Sequence, residues 1–168
     1  NLLEAKSLEE LFDLIRMLLG DIDELVADTS TFIERRPIAK PGSSHFATVD
    51  VLGVGIDFGE VENEDHFCAM VRMTNGALVT YEAGRTAVGD QCNYGFQIYG
   101  TQGSLSWDFR RSDELSICVG DGYQGRPTQV AYGGPGDGEY GRFQPGAGVA
   151  IGYDDSKVIE LARLLQSI

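Results

Sequence analysis

The chain has 168 residues, 42% of them hydrophobic and 23% charged. That balance excludes a disordered chain, and no run approaches the ~18 apolar residues a membrane helix needs. A single domain of this size can bury roughly 70% of its unfolded surface, so the sequence is read as one domain over residues 1–168. Its 26 Asp and Glu against 13 Lys and Arg leave a net charge of -13 with no basic stripe, so phosphate backbones are repelled and nucleic acid is not an expected partner. Cys68, Cys92 and Cys118 are odd in number and far apart, with no C-x-x-C pair or spaced His. They read as reduced structural thiols in a cytoplasmic protein. The start, "NLLEAKSLEELF", lacks both Met and a signal-peptide pattern, so the chain is expected to begin within a longer polypeptide.

"SLEELFDLIRMLLG" spaces Leu8, Leu11, Phe12, Ile15, Leu18 and Leu19 for one face of a helix. Ser7 and Glu10 have capping-box spacing, and Gly20 is the stop. "DIDELVADTSTFIERRP" is rich in β-branched residues and predicts a strand ending at Pro37. Residues 40–62 are rich in Gly and Ser and carry no clear period. From His66 the period becomes two: "HFCAMVRM" and "ALVTYEAGR" flank Asn75-Gly76, a pair that predicts a type I′ hairpin turn. "YGFQIYG", "SLSWDF" and "LSICVG" continue an antiparallel meander. The Gly-rich stretch from "GDGYQGRP" to "GVAIG" predicts a long loop, and "YDDSKVIELARLLQSI" a final helix. Val158, Leu161, Leu165 and Ile168 form its stripe, with Asp154 or Asp155 at the cap.

Candidate chemistry is sparse at this level. "VDVLGVGIDFGE", Val49 to Glu60, resembles a strand entering a dinucleotide turn. Such a turn must open a helix whose free N–H groups receive the pyrophosphate. Here the glycines lead to a β-hairpin, and the third falls one residue late, so turn glycines are the better reading. Asp65 beside His66 is either an acid/base pair or a surface contact. Glu10 and Asp13 fit a solvated helix face, and Glu82 with Arg85 fits an exposed ion pair. No Ser/His/Asp order, Cys/His pair or metal-ligand spacing occurs.

Several ordered motifs change this picture. Asn63-Glu64-Asp65 precedes a strand, Asn75-Gly76 sits in a hairpin, and Glu82 to Arg85 closes it. Tyr99-Gly100-Thr101-Gln102-Gly103 precedes Trp107, and Gly152-Tyr153-Asp154-Asp155 opens the last helix. Together they resemble the C-terminal domain of the glucose-fructose oxidoreductase / inositol dehydrogenase (Gfo/Idh/MocA) family over at least two thirds of the chain.

The resemblance implies an α+β fold: a large, mostly antiparallel sheet with helices on one face, like the C-terminal domain of dihydrodipicolinate reductase. It also implies an intact enzyme in which a separate Rossmann domain carries NAD or NADP and hydride passes to or from a sugar or polyol carbon. This chain contains no Rossmann half, so no cofactor is expected to bind it alone. The family's Asp-x-x-x-His acid/base pair falls on Lys6 and Glu10, which do not match, and only Asp13 just beyond keeps the residue type. Asp13 is therefore the catalytic candidate; the resemblance turns the rim with Glu82 and Arg85 toward the nicotinamide side of the cleft, and Tyr123, at the start of a glycine-rich loop able to fold back over a pocket, is the third substrate-side candidate.

The hairpin pattern speaks to partners as well. A two-residue turn places Val71 and Met73 with Leu78 on one face and Met70 with Tyr81 on the other, both apolar. A second layer is then needed: a further copy of the chain is the expected one, and the long Gly-rich loop folding over the face is the alternative. Two functional classes follow. One is the substrate-binding and oligomerisation domain of an NAD(P)-dependent oxidoreductase; the other is a non-catalytic module that kept the sheet and lost the chemistry.

Overall fold

A computed structural model describes residues 2–38, 57–90, 92–122 and 124–168, with side chains from Leu11 onward. The chain divides into two compact units, Asn1–Val88 and Gly89–Ile168.

The first unit begins with helix α1, Leu2–Leu19. Ser7 therefore lies inside the helix and is not its cap. Leu, Glu, Ala and Lys at positions 2–6 are strong helix formers and carry the helix upstream of the expected start. Gly20 ends it as expected, its N–H returning to the Arg16 carbonyl at 2.9 Å. Strands β1 (Ile22–Ser30), β4 (His66–Met73) and β5 (Leu78–Gly84) form an antiparallel ladder in the order β1-β4-β5. Short strands β2 (Arg35–Pro37) and β3 (Phe58–Glu60) pair separately. The single strand expected up to Pro37 is thus two, broken at residues 31–34.

The hairpin differs from its expected form. Arg72 pairs with Leu78, and Met73 N–H bonds Ala77 O at 2.9 Å. The loop is thus Thr74-Asn75-Gly76, with Gly76 alone in the left-handed region at φ 87°. This is a turn followed by a glycine bulge, not a type I′ turn, which needs positive φ at both central residues. One extra loop residue exchanges the faces of β5. Val79 and Tyr81 join Ala69, Val71 and Met73 in the core under Leu11, Phe12, Ile15 and Leu19 of α1. The Phe12 ring stacks on Tyr81 at 4.6 Å. Leu78 moves instead to the outer face with Met70 and Val26, where the three are 73%, 69% and 72% exposed.

In the second unit β6 (Gly95–Gly100), β7 (Gly103–Asp108), β8 (Glu114–Val119) and β9 (Gln129–Tyr132) form an antiparallel meander. β9 lies within the stretch expected to be all loop; its four residues find unpaired groups on the free edge of β8. Register aligns Phe96, Trp107 and Leu115 on one face, and Gln97, Ser106 and Ser116 on the other. Trp107 donates Nε1 to Ser112 O at 2.8 Å, and its ring meets Tyr94, Phe96 and Phe109. Helix α2 (Tyr153–Gln166) starts at Gly152, whose N–H is capped by Asp155 Oδ2 at 2.8 Å. The α2 residues Val158, Leu161 and Leu165 are exposed.

Candidate functional site

The strand break at residues 31–34 follows from one buried carboxylate. Asp65, 2% exposed, accepts the backbone N–H groups of Phe32 and Ile33 on Oδ2, at 2.8 and 2.7 Å. These amides turn away from any ladder to do so. Oδ1 accepts Arg36 Nη2 at 2.6 Å and Arg85 Nε at 2.9 Å. The Ile33 amide foremost, then Arg85, the Phe32 amide and Arg36, hold this carboxyl below its usual range against the opposing effect of burial. Arg85 also bonds Asn63 O through Nη2 at 3.2 Å, and its N–H reaches Asp65 O at 3.0 Å. Asp65 is thus neither an acid/base partner of His66 nor a surface contact. It joins the end of β1, the start of β2 and the end of β5.

The expected site residues separate accordingly. Arg85 turns to Asp65, while exposed Glu82 lies on the outer face with His66 Nε2 3.4 Å from Oε1. The Phe32 ring is 6.3 Å from that imidazole. Asp13 is exposed on α1, and its charge reaches Arg16, which pairs mainly with Asp21 at 2.9 Å. Tyr123 lies outside the described residues, as do residues 49–56 of the glycine stretch and the side chains of Lys6 and Glu10. Gly59 is within β3, paired with Arg36; the segment after it leads to β4, not to a helix N-terminus able to take a pyrophosphate. Among the described residues no three His, Cys, Asp or Glu side chains converge for a metal.

Sequence reasoning passed over a second carboxylate, Asp113, which clasps the glycine-rich segment after β9 at both ends. Its carbonyl accepts Gly133 N–H at 2.8 Å, and its Oδ2 accepts Ile151 N–H at 3.1 Å. The Tyr140 ring lies so close to Gly133 that a Cβ there would come within 2.8 Å of it. Tyr140 O in turn accepts Gln144 N–H at 2.9 Å. Burial above all, then the charges of Asp113 and Asp137, push the Tyr140 phenol upward and keep it protonated. The only sequence signal was an Asp between two charged residues and a strand.

A leading helix and antiparallel strands throughout give the chain an α+β fold. The description "GFO/IDH/MocA C-terminal domain" matches residues 11–106. The levoglucosan dehydrogenase of Pseudarthrobacter phenanthrenivorans is 33% identical over 158 residues, 93% of this chain and 40% of that protein. Among solved structures, levoglucosan dehydrogenase in its apo form has a TM-score of 0.75 at 31% identity, covering 90% of this chain and 38% of that one. Its complex with NADH and levoglucosan gives 0.71 at 30% identity, over 89% and 36%. The chain belongs to the Gfo/Idh/MocA family and corresponds to its C-terminal domain. It spans about two fifths of the length of the curated relative it matches.

Proposed function

We propose that the chain is the substrate-binding and oligomerisation domain of an NAD-dependent dehydrogenase acting on a sugar or polyol. The observation carrying this reading is its likeness, over 89% of its length, to an enzyme solved with NADH and levoglucosan together. Hydride transfer itself would use the nicotinamide on a Rossmann domain outside these residues. The residues proposed for the substrate side are Glu82, Arg85 and Tyr123, with Asp13 as the acid/base candidate. A carboxylate accepts and a phenol both donates and accepts, which suits hydroxyls, while Arg85, engaged by Asp65 and Asn63 O, would serve by holding the rim in place. The cluster of Val26, Met70 and Leu78 on the outer sheet face, which also carries Glu24, Arg72 and Glu82, is proposed as the contact with a second copy, since large apolar side chains exposed together are better covered than wet.

The test is the parent polypeptide with NAD or NADP and a panel of levoglucosan, inositols and open-chain polyols, followed by nicotinamide absorbance. Reduction with at least one substrate is expected. A parent that binds sugar without turnover would favour the second reading, a non-catalytic module. Lys6 and Glu10, standing where the acid/base pair is looked for, speak for that alternative.

A further inference from the structure

The exposed tip of the first hairpin joins Asn75 to Gly76. In such a pair the glycine nitrogen can attack the asparagine side-chain amide, because no Cβ on the glycine hinders it. The atoms that must react are already bonded in the closed tip. Gly76 N–H donates to Met73 O at 2.8 Å, Asn75 Nδ2 donates to Leu19 O at 2.9 Å, and Asn75 Oδ1 accepts Ala77 N–H at 3.0 Å.

We infer that Asn75 is a site of spontaneous deamidation that reacts only when the hairpin tip opens away from α1, and whose product lacks the tie to Leu19. In the reaction the Gly76 nitrogen gives its proton to solvent base and bonds Asn75 Cγ. The Cγ–Nδ2 bond breaks, and Nδ2 takes a proton from water and leaves as ammonia. One water then opens the cyclic imide, at one carbonyl to aspartate and at the other to isoaspartate.

In the closed tip a deprotonated Gly76 nitrogen would face the Met73 carbonyl oxygen across a former hydrogen bond, lone pair against lone pair. Leu19 O also holds the leaving group. The Ala77 amide would steady the oxyanion on Oδ1, but it acts only after that nitrogen has lost its proton. The rate therefore follows the population of opened tips. Afterwards an aspartate at this position has no N–H for Leu19 O, and it sets a negative charge at the end of α1 where the helix dipole is already negative. Isoaspartate instead adds a methylene to the loop whose length sets the faces of β5. The inference rests on residues of the first unit alone and holds whether or not the parent is a dehydrogenase.

The protein should be held in mildly alkaline buffer, folded and in unfolding urea, and the peptide containing Asn75 followed by mass spectrometry. Conversion to aspartate and isoaspartate is expected in both, slower in the folded protein by roughly tenfold or more, the factor that a minor open state imposes. Equal rates would overturn the dependence on opening, and an unreacted peptide in urea would overturn the site. Asn75→Asp makes one product directly, and its melting temperature should lie a few degrees below the native one. An unchanged melting temperature would mean that the tie to Leu19 O does not hold the tip, and would overturn the inferred consequence.

Discussion

A carboxylate with no exposed surface is stable only when its lone pairs are used, and the two oxygens of Asp65 receive four donors from three places in the chain. Because folding lowers its pKa, its contribution is complete above the unfolded value near 4 and is lost as pH falls through the folded value. Thermal melts should be level above about pH 5 and decline below 4. Asp65→Asn should melt lower at neutral pH and lack this part of the acid decline; an unchanged profile would deny the knot its role. Arg85→Ala removes the donor from Asp65 Oδ1 and from Asn63 O, so the melting temperature should drop by on the order of 5 °C. A raised Michaelis constant in that variant must then be read beside its stability, whereas exposed Glu82 can be changed to Gln with little structural cost. The sequence displayed Asp65 beside His66 but not the two arginines and two amides, because these lie 20 to 33 positions away.

Among the elements, α1, β4, β5 and the meander were legible, since period and stop signals lie in the sequence itself. The faces of β5 were not, because they depend on whether the loop has two residues or three. The structure shows what selects three. Asn75 Nδ2 bonds Leu19 O at 2.9 Å and its Oδ1 accepts Ala77 N–H at 3.0 Å, tying the hairpin tip to the end of α1. An Asn-Gly pair therefore serves here as a helix cap and turn. Asn75→Gly, nearly neutral in a type I′ turn, should instead cost about 1 kcal/mol in urea unfolding. A loss within error would return the hairpin to the two-residue form. Strand β9 was missed because "TQVAY" is short and surrounded by glycine; its pairing comes from the edge it meets rather than from its own pattern.

For the whole molecule, the corrected register leaves the outer face a smaller apolar cluster than expected, with Thr80 and Glu82 beside it. Leu78 now shares the outer face with Met70 and Val26, while Tyr81 is used in the core. Met70→Glu would place an unpaired charge in the proposed contact, at several kcal/mol. Sedimentation velocity should show an oligomer at micromolar concentration for the native chain and monomer for the variant. A native monomer across that range removes the interface. The family was recognisable because many short motifs recur in order, each tied to a turn or strand start. The site was not, since its residues are defined by what they reach in three dimensions.

The Asp113 clasp also bears on how such a domain changes over time. With Gly133 and Ile151 both held by one residue of the meander, the chain between them can alter in length without disturbing strand register. Each doubling of a loop costs only about 0.6 kcal/mol in closure entropy. The segment is a cassette: a lineage, or an engineer, that keeps Tyr140 against Gly133 and the buried Gln144 can exchange the rest for a new recognition surface while Asp113 and the ladder behind it stay as they are.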